Sequence, residues 1–243
     1  MSKNPRVVLS AGNIAHYHHT ALVLQQVDML LRYLCIFSGQ ETETWWSRIL
    51  TADQQKRIDG KLMPGLDLER TKTFPIPYLV SQSLRRSRLM SMAQANGLLS
   101  VWYDRLSIPY AQEGDIFHFV NSLGWLAAKQ AALRGIKLIC DVREAHILAE
   151  DEVLNEEHKR LGLDYEPKRT LDLQKRILAE YDMADHLFVM STYAKNTFIN
   201  RGYSPTKVHV IPLGVDVSRF TNLSHASEHY PDGIFRVIFV GQI

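Results

Sequence analysis

The 243-residue sequence has only two cysteines, Cys35 and Cys140, each inside an apolar run. That is too few for a disulfide framework or a cysteine-rich metal site, and the pattern predicts two buried thiols. No apolar stretch approaches the roughly 18 residues needed to cross a bilayer. No signal peptide precedes the first strand-like segment, so a soluble cytoplasmic protein is expected. Charge of one sign is not in excess: 28 basic residues face 26 acidic ones, for a net charge of +2. A polyanion-binding surface is therefore not expected, and nucleic acid is excluded as an expected partner. Internal repeats and low-complexity runs are absent. So is any G-x-G-x-x-G, which counts against a dinucleotide-dependent oxidoreductase.

What is present is a regular alternation. Apolar, β-rich runs occur at 6–10 (RVVLS), 31–38 (LRYLCIFS), 71–76 (TKTFPI, broken by Pro75), 115–120 (DIFHFV), 136–142 (IKLICDV), 186–191 (HLFVMS), 208–212 (VHVIP) and 235–240 (FRVIFV). A helix should follow the first run to about residue 28, a long helical stretch should cover 80–106, and helical segments should separate the runs between 115 and 191. Strands that are apolar nearly throughout and alternate with helices indicate an α/β fold, with a Rossmann-like parallel sheet covered by helices on both faces. In such sheets ligands bind beyond the carboxyl ends of the strands, so the informative residues stand just after each run. Residues 221–233 (TNLSHASEHYPDG) are polar and turn-rich. They suggest a first domain over 1–214 and, over 215–243, a linker with the opening strand of a second domain.

Three segments carry a family likeness. EYDMADHLFVMS at 180–191, with Tyr193, Ala194 and Lys195, resembles the "E…AD.i.v.S…k" segment of the retaining glycosyltransferases of family 4. KVHVIPLGVD at 207–216, with Phe220, looks like that family's "kv.vIp.GVD…F" signature. RVIFVGQI at 236–243 is similar to the strand that opens the family's second Rossmann domain. The resemblance implies the N-terminal half of a GT-B fold, two Rossmann-like domains facing each other across a cleft. The first domain binds the acceptor and the second a nucleotide-sugar, UDP- or GDP-linked. It implies transfer of the sugar to an acceptor hydroxyl with retained configuration, without a cofactor or required metal, in polysaccharide or glycolipid biosynthesis. It also implies that 1–243 is a C-terminally truncated chain, inactive alone. The alternatives are a non-catalytic glycan- or partner-binding module and a nucleotide-sugar epimerase of the same fold.

Site residues follow from strand ends and from the resemblance together. Gly12 and Asn13 lie in the loop after the first strand, where family members often carry two glycines. Gly12 serves either close ligand approach or a simple turn. His16 opens the cluster His16, Tyr17, His18 and His19. Consecutive helical residues point in different directions, so the cluster should not converge on a metal, and His16 is the candidate for a polar contact. His118 matches the first histidine of the family's "D.iH.H" strand, but Val120 stands where the second belongs. That role is left unfilled, or falls to Asn121, Ser122 or His146. Arg143 and Glu144 end the next strand in a "D.RD"-like tetrad with Asp141, and Arg143 either meets a phosphate or pairs with one of those acids. The acceptor or sugar set is therefore Gly12, Asn13, His16, Asn121, Arg143, Glu144 and His146, with Gly241 and Gln242 at the donor diphosphate. Glu144 and Glu152 satisfy E-x7-E, but the family places that motif in its second domain, so the match is coincidental. Arg85, Arg86 and Arg88 among apolar residues suggest either a solvated helix face or a peripheral contact with anionic membrane. Trp45 and Trp46 either pack on the core or line an acceptor entrance.

Overall fold

A computed structural model describes residues 4–12, 15–38, 65–214, 217, 234–235 and 237–239. Asn13, Trp45, Trp46, Gly241 and Gln242 lie outside the described residues. The chain divides into two compact units, Met1–Pro212 and Leu213–Ile243.

The first unit is built on a seven-stranded sheet: β1 (Val7–Ser10), β2 (Leu30–Cys35), β3 (Thr71–Thr73), β4 (Ile116–Val120), β5 (Lys137–Val142), β6 (His186–Val189) and β7 (Val208–Val210). Its order is β3-β2-β1-β4-β5-β6-β7 and every pairing is parallel. The helices are α1 (Ala15–Gln26), α2 (Pro75–Arg86), α3 (Met92–Ala111), α4 (Trp125–Ala132), α5 (Ile147–Arg160), α6 (Leu171–Met183) and α7 (Thr192–Ile199). The Rossmann-like α/β architecture expected from the sequence is present. Strand side chains alternate between two cores. Val8, Phe117, Phe119, Leu138, Cys140, Val142, Leu187, Val189 and Val208 pack with the alanines of α4, with Ile177 and Tyr181 of α6 and with Phe198 of α7. Leu9, Tyr33, Cys35 and Val120 face the other way, against Tyr17 and Ala21 of α1. Both cysteines are buried, and burial pushes the Cys140 thiol up.

Three local readings are revised. The helical stretch expected over 80–106 is two helices. Arg88 takes a left-handed φ of 59° just after α2. Ser91 then opens α3 with a capping box, its hydroxyl accepting from Gln94 N while the Gln94 side chain accepts from Ser91 N. Reciprocal capping satisfies two orphan donors and starts a new helix where apolar periodicity alone shows one. Pro75 ends β3, as its missing N–H requires, and begins α2, where a proline in the first turn costs nothing. A further helix, α7, follows β6, its N-terminus capped by Ser191 Oγ accepting from Ala194 N.

In the second unit, Phe235 and Val237–Ile238–Phe239 form no strand. A strand exists by ladder hydrogen bonds, and the described residues of this unit include no second strand to supply them.

Candidate functional site

The sheet order reverses between β1 and β4. β1 leads outward through β2 and β3, and the chain then returns to β4 and runs outward through β5, β6 and β7. A switch point of this kind opens a crevice at the carboxyl edge, because the flanking connections leave on opposite faces. The loops after β1, β4 and β5 meet there.

The loop after β1 is held by one phenol. Tyr103 on α3, fully buried, donates to Leu34 O (2.8 Å) and accepts from Gly12 N (3.3 Å) and Ser10 Oγ (3.3 Å). Gly12 has φ +55°, and a Cβ there would stand 2.8 Å from Leu123 Cδ1. The left-handed turn favours glycine, whereas the contact is with the flexible end of the Leu123 side chain, which can give way. Tyr103→Phe removes the hydroxyl and orphans the Gly12 amide. The expected loss is about 1–2 kcal/mol by urea unfolding, with faster amide exchange at Gly12.

The first turn of α1 supplies His16 and Tyr17, their rings 4.2 Å apart, and contains no acidic residue. Tyr17 is 1% exposed and lies beside the Asp141 carboxylate, and its hydroxyl has no well-formed hydrogen bond among the described residues. Burial, with the Asp141 charge, pushes its phenol well up. His16 Nε2 is likewise buried and without a partner among the described residues, and burial and the Arg143 guanidinium hold the ring below the usual imidazole range. His18 turns the other way and meets the Tyr33 hydroxyl through Nδ1 at 2.9 Å, and His19 is exposed. The four-residue cluster is thus dispersed by the helix. Among the described residues no group of three His, Cys, Asp or Glu side chains could hold a metal ion.

From β5, Asp141 Oδ2 lies 3.2 Å from His118 Nε2. Arg143 pairs with neither neighbouring acid among the described residues, and its Nε is buried without a partner. Glu144 is half-exposed and pairs with Arg169 (3.0 Å), which also holds Glu150 (2.6 Å). Glu152 pairs instead with Arg201, so the two ends of E-x7-E serve separate ion pairs. His146, 2% exposed, accepts from Leu148 N through Nδ1 (3.3 Å) at the start of α5, and its ring packs on Tyr181, Phe198 and Tyr203. Burial there holds its pKa down to about 4.

After β4, Asn121 Nδ2 donates to the Tyr181 hydroxyl (3.4 Å), and Ser122 takes φ +75°. Val120, in the place of the family's second histidine, is 1% exposed in the core. Behind this loop sit two buried acids that the sequence did not place at the site: Glu180, which opens the 180–191 motif, and Asp104. Glu180 accepts from Ser122 N and Gly124 N, and Asp104 from Leu126 N and Ala127 N. Asp104 carries a weak sequence signal, because it shares helical spacing with buried Ser100, Tyr103, Ser107 and Ala111. Of the expected residues, the structure brings His16 and Arg143 together beside Tyr17 and Asp141. Gly12 and Asn121 lie in the adjoining loops, Glu144 is in an outer ion pair, and His146 is inside the aromatic cluster.

Residues 66–219 match the model of Glycosyltransferase Family 4, well over half of the chain. The chain belongs to that family. No curated protein matches it. Among solved structures, a UDP-glucosyltransferase from Polygonum tinctorium shares 15% identity at a TM-score of 0.46, covering 88% of this chain and 54% of its own. UGT2 from Phytolacca americana shares 12% at 0.46, covering 88% and 53%. The UDP-GlcNAc 2-epimerase of Methanocaldococcus jannaschii shares 11% at 0.45, covering 93% and 51%. The family 4 chain thus spans about half the length of these structures, and likenesses at this level specify neither activity nor ligand.

Proposed function

We propose that this family 4 chain is the acceptor-side half of a GT-B transferase. The enzyme moves a sugar from a UDP- or GDP-linked donor to an acceptor hydroxyl with retention, in polysaccharide or glycolipid assembly. Residues 215–243 lead into the donor-binding half, with Gly241 and Gln242 at the donor diphosphate, and residues 1–243 alone transfer no sugar. The observation that carries this reading is a set of buried polar atoms at the switch point without a well-formed hydrogen bond among the described residues: His16 Nε2, Arg143 Nε and Tyr17 Oη, the last beside the Asp141 carboxylate. Buried polar atoms ordinarily have partners, so three such atoms from two adjoining elements mark a place where a polar ligand completes them.

The charges suit the chemistry. Glycosyl transfer develops negative charge on a departing diphosphate and positive character on the sugar ring. Arg143 and the acid-free N-terminus of α1 favour an anionic group, and Asp141 with His118 offers a carboxylate and an imidazole for hydroxyls. Gly12 lets a backbone approach, while Asn121 and Glu144 border the set. Arg86, Arg88 and Leu89 are exposed where α2 ends and give this half a basic, partly apolar tip for peripheral contact with anionic membrane. No helix among the described residues is long and apolar enough to cross a membrane.

The test uses the intact transferase with a panel of radiolabelled UDP- and GDP-sugars and membrane or polysaccharide extracts as acceptor. Arg143→Ala is expected to lower kcat/KM on the order of 100-fold, as removal of a transition-state charge contact does, with an unchanged melting temperature. Undiminished turnover in that variant would remove Arg143 from the site. Transfer by residues 1–243 alone would overturn the half-enzyme reading.

A further inference from the structure

Helix α4 begins at the carboxyl edge beside the switch point. The free N–H groups of a helix start in that position ordinarily face an anionic ligand. Here the protein's own acids take them. Ser122 N donates to Glu180 Oε2 (2.6 Å) and Gly124 N to Glu180 Oε1 (3.0 Å). Leu126 N donates to Asp104 Oδ2 (2.7 Å) and Ala127 N to Asp104 Oδ1 (2.9 Å). Glu180, from α6, is 0% exposed, and Asp104, from α3, is 2% exposed. The two carboxylates are close enough to repel, and neither has an ion-pair partner among the described residues. Placing two such acids in a core is costly unless their oxygens are satisfied. They are satisfied by main-chain N–H groups of one short segment, 122–127.

That segment contains a left-handed residue. Ser122 is one of only three non-glycine residues with positive φ among those described, and the left-handed region costs an L-residue roughly 1–2 kcal/mol. It is pinned at both ends: its N–H by Glu180 and its carbonyl by the Ser100 hydroxyl. We infer that Glu180 is a positioning residue. It clamps the β4–α4 loop so that Asn121 and Ser122 stand at the carboxyl edge. Together with Asp104 it closes the N-terminus of α4 to an incoming phosphate, leaving α1 and Arg143 as the anion-accepting side of the crevice. This rests on the proposed function only in taking that edge as the ligand side.

The groups facing Glu180 are Asp104 on α3, Cys140 on β5 and Tyr181 on its own helix, with the N–H groups of Ser122, Gly124 and Trp125. Arg176 lies toward Asp104. Burial outweighs the N–H donors and raises the Glu180 carboxyl to about 8.

The test is amide hydrogen exchange by NMR on the 243-residue chain, comparing E180Q, S122G and the double variant. In E180Q one of the amides of residues 122 and 124 is expected to exchange roughly tenfold faster, with β4 and β5 unchanged, since glutamine keeps one acceptor oxygen and replaces the other with NH2. In the double variant that amide is expected to stay fast, because glycine relieves the left-handed strain but supplies no acceptor, whereas S122G alone keeps both amides protected. Equal acceleration across β4 and β5, unchanged exchange in E180Q, or acceleration by S122G alone would each overturn the inference. If E180Q fails to fold, E180D is read in the same way, since it keeps the carboxyl group and withdraws its reach. The readout involves no ligand. Full transfer activity in Arg143→Ala would defeat the functional reading and leave the clamp standing, whereas unchanged exchange in E180Q would defeat the clamp alone.

Discussion

Gly124→Ala is expected to be among the most damaging single substitutions in this protein, although it adds one methyl group. A Cβ at Gly124 would lie 2.3 Å from Phe119 Cδ2 and 2.6 Å from its Cγ. Phe119 is fully buried on β4 and stacks on Phe117 at 5.2 Å, so its ring has no vacant space to enter. Either the ring moves, disturbing the main core, or the loop moves, pulling Gly124 N from Glu180 Oε1. Overpacking of this kind costs about 3 kcal/mol, and a loosened clamp adds to it. Urea unfolding measures the loss, and a midpoint within error of the wild type would contradict it. Gly135, Gly162 and Gly202 have no neighbour within 4 Å of a built Cβ, but each has positive φ, so alanine there meets backbone strain rather than a clash.

The second large effect is a fall in stability as pH rises from 6.5 to 8. Glu180 is raised to about 8 from 4.5, and Asp104 to about 6 from 3.8, burial being the main cause in each. The folded state therefore keeps protons that the unfolded chain has already released. The stabilisation is complete at low pH and is lost as pH climbs through about 6 for Asp104 and about 8 for Glu180. His146 works in the opposite sense. Held down to about 4, it is neutral when folded while the unfolded imidazole takes a proton below 6.5, so its contribution is lost as pH falls from 6.5 toward 4. The opposing trends overlap below 6.5, which leaves Glu180 the governing carboxylate above it. Its share between pH 6.5 and 8 is about 2 kcal/mol. Urea midpoints at the two pH values, for wild type and E180Q, check this. The wild type should weaken and E180Q should lose most of the slope, and a flat wild-type profile would refute the assignment.

Much of the fold is legible in the sequence. The runs at 6–10, 115–120, 136–142 and 186–191 correspond to β1, β4, β5 and β6 to within two residues at their ends. Near-continuous apolar strands between helices are a local pattern, and local patterns survive in sequence. The same rule placed Gly12, Asn121 and Arg143 just beyond strand ends, and helical geometry separated His16 from His18 and His19. Where the local signal was a cap rather than a period, the reading slipped. Ser91 with Gln94 divides a stretch that apolar spacing joins, and Ser191 starts a short helix whose moment is weak.

What composition and patterning determined on their own is the class of fold, the edge of the sheet that matters, and, through motifs at 180–191 and 207–216, the family. Tertiary structure decided which of the residues along that edge meet. His146 and Arg143 are three apart in sequence, yet one caps the start of a helix inside an aromatic cluster and the other keeps a nitrogen without a partner among the described residues, beside Asp141 and His16. Glu180 and Asp104 reach the same loop from helices 76 residues apart. Strand order puts these groups side by side, and strand order is a long-range property of packing that no window of sequence encodes. A buried acid acquires its role from donors that only the completed fold brings within 3 Å.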